Sequence, residues 1–204
     1  MTRRLATAAL VALMLTGCAL GQRPTLTDER LIDDSAIDAV LDRLASADRS
    51  AFTAVYALTP TAAGAATSEA TVSSSPGATS VVFATDGVVT VEYVVDDGEQ
   101  RTCRAGQAEC VAGLDEARIS NLAVTSSFWG PSAAQKLRTD AGRNVADATP
   151  STTEVAGQAA VCAAVPVGAG AVMSVEYCAL DAGPLAAYRG ADVVIELVSF
   201  TPGP

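Results

Sequence analysis

The chain has 204 residues, half of them hydrophobic but only 4% aromatic, with 13 basic residues against 23 acidic and a net charge of −10 at pH 7. A surface so acidic, with no basic cluster to offset it, repels polyanions and excludes nucleic-acid binding. Histidine is absent altogether, which removes every Ser-His-Asp and Cys-His catalytic arrangement and the usual zinc-enzyme sites.

The chain opens with Arg3 and Arg4 followed by an apolar run over residues 5–15. These are the charged and apolar regions of an export signal, too short to span a bilayer comfortably. The run ends in Leu15-Thr16-Gly17-Cys18, which resembles the lipobox of bacterial lipoproteins, where small residues let a dedicated peptidase cut just before the cysteine. The resemblance implies a signal peptide over 1–17, with Cys18 as the lipidated first residue of the mature protein, palmitate among its acyl chains. It also implies attachment to the outer, extracytoplasmic face of the cell membrane. Two acyl chains hold firmly where one holds only marginally. Loss of Arg3 and Arg4 leaves 11 basic and 23 acidic residues among 187, a net charge of −12, so membrane attachment must come from the lipid. Residues 18–33 read as a tether, with Pro24 discouraging helix, and residues 34–204 as a single domain.

Ser35 is the expected N-cap of a first helix, with Asp38 at its third position. Ile37, Val40, Leu41 and Leu44 follow at i, i+3, i+4 and i+7, giving one apolar face as far as residue 46. From residue 51 the period becomes two: Phe52, Ala54, Tyr56 and Leu58 alternate with Thr53, Val55, Ala57 and Thr59 in a strand ended by Pro60. A second strand is expected over 67–73, before a Ser-Ser-Pro-Gly turn at 74–77. Residues 80–85 and 88–95 flank Asp86-Gly87, a strong hairpin signal, and Asp96-Asp97-Gly98 turns the chain again into 99–103. Consecutive hairpins make an antiparallel meander.

Helical spacing returns between Leu114 and Gly142, with a short helix over 115–122 and a longer one over 131–141. Pro131 suits its first turn and Gly142 the position just past its end. The segment between them, Ser126-Ser127-Phe128-Trp129-Gly130, holds the only tryptophan. A last set of strands is expected over 159–167, 171–178 and 192–200, with a further turn at Asp181-Ala182-Gly183. The triplets Val91-Glu92-Tyr93 and Val175-Glu176-Tyr177 echo one another.

Besides Cys18 there are four cysteines, Cys103, Cys110, Cys162 and Cys178. An even number in an exported domain reads as two disulfides, formally in three pairings. Local structure favours Cys103–Cys110 and Cys162–Cys178. The second pair is symmetric about Gly170 and so lies directly opposite across the expected hairpin, where a one-residue slip would put the two on opposite faces. Four cysteines without histidine, and without any Cys-x-x-Cys, make a poor metal site, so neither a metal nor another cofactor is expected.

No catalytic residue emerges. Ser132 stands four residues before Lys136, outside the Ser-x-x-Lys pattern. Asp96, Asp97 and Glu99 sit in a turn, where they serve backbone geometry, and they lack the regular oxygen-ligand spacing of calcium loops. No Gly-rich phosphate loop is present.

An N-terminal amphipathic helix, an antiparallel meander, a helical insertion and further hairpins, in this order, resemble the LolA/LolB-like half-barrels of bacterial envelopes over about residues 35–200. The resemblance implies an α+β fold, a curved antiparallel sheet covered by an N-terminal helix and a central helical insertion, with acyl chains held in the gap between sheet and helices. Phe52, Tyr56 and Phe83 on the apolar sheet face, with Phe128 and Trp129 above, are the candidate ligand residues. The last two are read either as a lid over a cavity or as a plug in the core. The implied function is a non-catalytic carrier of a lipid or other hydrophobic ligand. The alternative is a structural or protein-interaction module of the envelope with a filled interior. The Ala-rich helix, with Ala133, Ala134 and Ala141, must either approach the sheet closely or leave a void. No protein partner is indicated.

Overall fold

Turn chemistry sets the path of the chain. In the computed structural model, which describes residues 34–107, 109–168 and 173–203, Asp86 and Gly87 both take positive φ (52° and 74°), as do Asp97 and Gly98 (47° and 86°). Two positive φ values in succession give the turn whose twist matches flanking antiparallel strands. Pro76-Gly77 reverses the chain differently, with a fixed proline φ before a left-handed glycine at 85°. The signal peptide, Cys18 and the tether lie outside the described residues.

These turns link β1 (Phe52–Pro60), β2 (Ser68–Ser75), β3 (Ala78–Thr85), β4 (Val88–Asp96), β5 (Glu99–Arg104) and the short β6 (Val111–Ala112). A second run comprises β7 (Thr149–Val155), β8 (Gln158–Val167), β9 (Met173–Leu180), β10 (Leu185–Arg189) and β11 (Val193–Pro202). All eleven form one curved antiparallel sheet in the order β6-β5-β4-β3-β2-β1-β11-β10-β9-β8-β7. The chain therefore starts in the middle of the sheet and meanders out to one edge. It then crosses to the opposite edge and meanders back until β11 pairs with β1. The crossing segment must pass over a sheet face, which is why the helical insertion ends up covering it.

The helices are α1 (Ser35–Leu44), a short 3-10 helix Ala47–Arg49, a 3-10 helix Glu116–Leu122 and α2 (Pro131–Ala141). The N-cap of α1 is Asp34, not the expected Ser35. Its carboxylate accepts the N–H groups of Ala36 and Ile37 at 2.9 and 3.3 Å, which leaves Ser35 as the first helical residue. Its second oxygen accepts the Ala148 N–H at 2.7 Å. Capping and tethering to the start of β7 are thus done by one carboxylate, a long-range role that local spacing cannot show. The helix ends at Leu44 and buries Ala36, Ile37, Val40 and Leu44 against β8, β9 and α2.

The segment over 115–122 is 3-10 rather than α, burying Ile119 and Leu122 and stopping at Ala123 in the left-handed region (φ 55°). Helix α2 has the expected bounds, and it buries Ala133, Ala134, Leu137 and Ala141. Gly142 caps it in a right-handed conformation (φ −69°). The chain then runs on through a turn closed by Arg143 N–H to Asp140 C=O and joins β8 through Val145 N–H to Pro166 C=O.

Three strands were not legible in advance, the shortest being β6, two exposed residues at one edge of the sheet. Strand β7, Thr-Pro-Ser-Thr-Thr-Glu-Val, is an exposed edge strand, so it carries no apolar alternation. Strand β10 is the opposite case: Leu185, Ala186, Ala187 and Tyr188 are all buried, so both of its faces are apolar. Both expected disulfides are present, Cys103–Cys110 and Cys162–Cys178, and Cys162 pairs directly with Cys178 in the β8–β9 register. Between β1 and β11 the register shifts where Val55 faces Ser199 but Tyr56 faces Leu197. Val198 stands over in this bulge and is 59% exposed.

Candidate ligand groove between helix α2 and the sheet

The sheet face under the insertion divides into a filled half and an open half. Over β1–β4 the aromatic side chains interlock. Phe128 meets Tyr56 edge-on at 5.1 Å between centroids and Phe83 at 6.1 Å, and Phe83 meets Tyr93 at 6.0 Å. Trp129 packs edge-on against Phe52 at 5.5 Å. The Tyr93 hydroxyl donates to the Asp115 carbonyl at 2.7 Å, fastening the insertion to the sheet. Tyr56, Phe83, Phe128 and Trp129 are each under 5% exposed. Close approach has won here, as geometry-favoured aromatic contacts make it favourable.

Over β9–β11 a groove remains. Its floor is Tyr177, Leu185, Tyr188, Val193 and Ile195, and its far wall is Val124, Phe128 and Ala133, with a volume of about 480 Å³. One flank is Ser132, Lys136 and Asp140, spaced by roughly one turn so that they face the same way from α2, with Arg143 just past the helix end. The helix turns Ala134, Leu137 and Ala141 into the core instead. Ala133 is the one apolar residue that α2 contributes to this lining, and its short side chain fills little of the space above the sheet. A larger cleft of about 620 Å³ lies where β1 begins and the β2–β3 turn sits. Its lining is rich in hydroxyls, with Thr53, Ser73, Ser74, Ser75, Thr79 and Ser80.

Of the five candidate ligand residues, Phe128 lines the groove. Tyr56 and Phe83 stand behind it as its support, and Phe52 and Trp129 pack together, with Phe52 reaching the hydroxyl-lined cleft. The groove floor from β10 and β11 was missed because β10 was not recognised as a strand. The Leu-Ala-Ala-Tyr run between Pro184 and Arg189 is the signal that would have revealed it.

The polar groups of the groove are mostly tied to one another. Tyr177 donates to Asp140, and Tyr188 donates to Asp192 at 3.0 Å. Lys136 lies 3.4 Å from the Asp192 carboxylate and 5.3 Å from the Tyr188 ring centre. Burial, reinforced by the carboxylates of Asp140 and Asp192, pushes both phenols well above the usual tyrosine value. They are hydrogen-bond donors at any ordinary pH, and neither is poised as a base.

Cys162, Cys178 and Glu176 gather potential ligand atoms within 4.8 Å. Both sulfurs are joined to each other in the disulfide, so they are not thiolate ligands, and Glu176 is bound to Arg189.

No protein-family model matches this chain, and no curated protein matches it by sequence. Solved structures do. The complex of MucA and MucB from Pseudomonas aeruginosa has a chain 22% identical, aligned over 83% of this chain and 57% of that one with a TM-score of 0.51. LprF from Mycobacterium bovis aligns over 83% of this chain and 93% of its own at 14% identity and a TM-score of 0.43. The LolA superfamily protein NE2245 from Nitrosomonas europaea aligns over 82% and 94% at 8% identity and 0.38. This chain spans under two thirds of the length of the MucB chain, and at 22% identity the likeness to it is one of fold.

Proposed function

We propose that this domain binds one acyl chain, or an apolar ligand of similar size, in the groove between α2 and β9–β11. It does so without chemistry, as an envelope protein held at the extracytoplasmic face of the membrane through lipid on Cys18. The observation that carries the reading is the groove itself: about 480 Å³ bounded by Val124, Phe128, Ala133, Leu185, Val193 and Ile195. That volume falls within the range of small-molecule sites, roughly 300–1,000 Å³, and the mix of an apolar lining with a few polar groups at one side is typical of them.

Titration of the purified, delipidated protein with a fluorescent fatty acyl probe tests it. Saturable binding is expected, and Ala133→Trp, which fills the groove from the wall, is expected to weaken it at least tenfold while leaving the circular dichroism spectrum unchanged. Absence of probe binding by the wild-type protein overturns the reading in favour of an envelope interaction module.

The anchor is tested separately. Among the described residues no helix is long and apolar enough to cross a membrane. Cys18→Ser is expected to abolish incorporation of labelled palmitate. Undiminished labelling of this variant would refute acylation at Cys18.

A further inference from the structure

The groove's own hydrogen-bond census narrows the ligand. This step rests on the acyl-binding reading above and adds the chemical class of the head group. The Thr125 hydroxyl donates to Ser132 at 2.7 Å, Ser132 lies 2.6 Å from the Ser127 hydroxyl, and the Thr139 hydroxyl is turned back onto the Gln135 carbonyl at 2.9 Å. Tyr177 is spent on Asp140, and Lys136 is held by Asp192. Two polar side chains in the lining remain without a partner among the described residues: Gln135 and Arg143.

Arg143 is the informative one. It is exposed, it follows the last turn of α2, and it makes no ion pair with Asp140, which accepts from the Tyr177 hydroxyl. Arg49, Arg101 and Arg138 are likewise exposed and without a partner among the described residues, but Arg143 is the one of them that lines the groove. A planar guanidinium offers paired donors that match the two oxygens of an oxyacid, and bonds between charged partners are about twice as strong as neutral ones. The acidic rest of the molecule would otherwise repel such a ligand, so a local cation is what an anionic amphiphile requires.

We infer that the groove takes a single-chain amphiphile with an anionic oxyacid head, the acyl chain on Leu185, Val193 and Ile195 and the head bonded by Arg143. Carboxylate and phosphate share this chemistry.

The test measures equilibrium binding of four compounds to the delipidated full chain at neutral pH: palmitate, 1-palmitoyl-lysophosphatidate, neutral monopalmitoylglycerol and inorganic phosphate alone. At least one of the two acids is expected to bind about tenfold more tightly than monopalmitoylglycerol, a difference of about 1.4 kcal/mol. Whichever acid shows the preference identifies the head. Arg143→Gln is expected to erase the preference while leaving monopalmitoylglycerol binding unchanged. Arg138→Gln, exposed on the same helix and outside the groove lining, is expected to keep it. Equal binding of acids and neutral lipid by the wild-type protein overturns the head-group inference and leaves the acyl groove standing. Binding of inorganic phosphate as tight as lysophosphatidate overturns it too. Binding of none of the four removes the groove reading itself.

Discussion

Replacing Cys162 and Cys178 together by alanine is expected to lower the unfolding free energy by about 3 kcal/mol, the loop-closure value for a cross-link of this span. The separation is 16 residues, so the reduced unfolded chain regains the freedom of a loop of about that length. The native side is favourable for such a test. The two cysteines are direct partners in the β8–β9 ladder, and both are under 4% exposed, so alanine leaves no buried polar atom behind and strand pairing can persist. Cys103–Cys110 closes a loop of only 7 residues, and its removal is expected to cost about 2.5 kcal/mol by the same relation. Denaturant unfolding of the two double variants checks both values. For a domain of this size 3 kcal/mol corresponds to a fall in Tm of about 10 °C. A loss below 1 kcal/mol for the buried pair would show that the β8–β9 hairpin is already ordered in the unfolded chain, and that the cross-link constrains nothing.

The same hairpin shows why part of this fold could be read from sequence. Cys162 and Cys178 report register because a side-chain period of two converts any slip into a change of face, and Asp86-Gly87 and Asp97-Gly98 report turns because few residue pairs accept two positive φ values. These are local signals, and the meander they specify is the one observed. The missing pieces are those whose cause lies far away in sequence. Asp34 caps α1 while holding Ala148, 114 residues on. Strand β10 is buried on both faces because α1 and α2 gather around β8–β10, so its residues show no alternation to detect. Strand β7 shows none because its side chains stay exposed at the sheet edge, although α1 reaches it. The groove follows the same rule. The apolar face formed by Phe52, Tyr56 and Phe83 was evident, and so was the smallness of Ala133. Which half of the sheet would be filled depends on where Phe128 and Trp129 come to rest. They settle on β1 and β3, and the space that is left lies over strands contributed by the other end of the chain.

Raising the pH above 10 is expected to unfold the protein cooperatively, with all four tyrosines ionising in that transition. Tyr56, Tyr93, Tyr177 and Tyr188 are the only tyrosines, and each is 3% exposed or less. Burial pushes Tyr93 up to about 12, helped by the nearby charges of Glu116 and Asp115, and pushes the other three higher still. Below pH 10 the folded and unfolded chains both hold these protons, so the full stability is present. Above it the unfolded chain releases them and the folded chain does not. Each tyrosine then removes about 1.4 kcal/mol per pH unit, and the four together up to roughly 5 kcal/mol per unit until Tyr93 reaches its own folded value. Against a typical domain stability of about 5–15 kcal/mol, the fold is lost within about one to three pH units above 10. Few other groups confuse the measurement, since the chain has one lysine and no histidine and the four described-domain cysteines are oxidised. Tyrosinate absorbance at 295 nm is expected to stay flat past pH 10 and then rise together with loss of the strand signal in circular dichroism. Tyr56→Phe removes one proton from the transition without breaking a hydrogen bond, because the Tyr56 hydroxyl is buried with no partner among the described residues, and it is expected to make the pH dependence measurably shallower. Gradual tyrosinate formation centred near pH 10 in a protein that keeps its fold would show that these phenols reach water in the native state, and with them the floor of the groove.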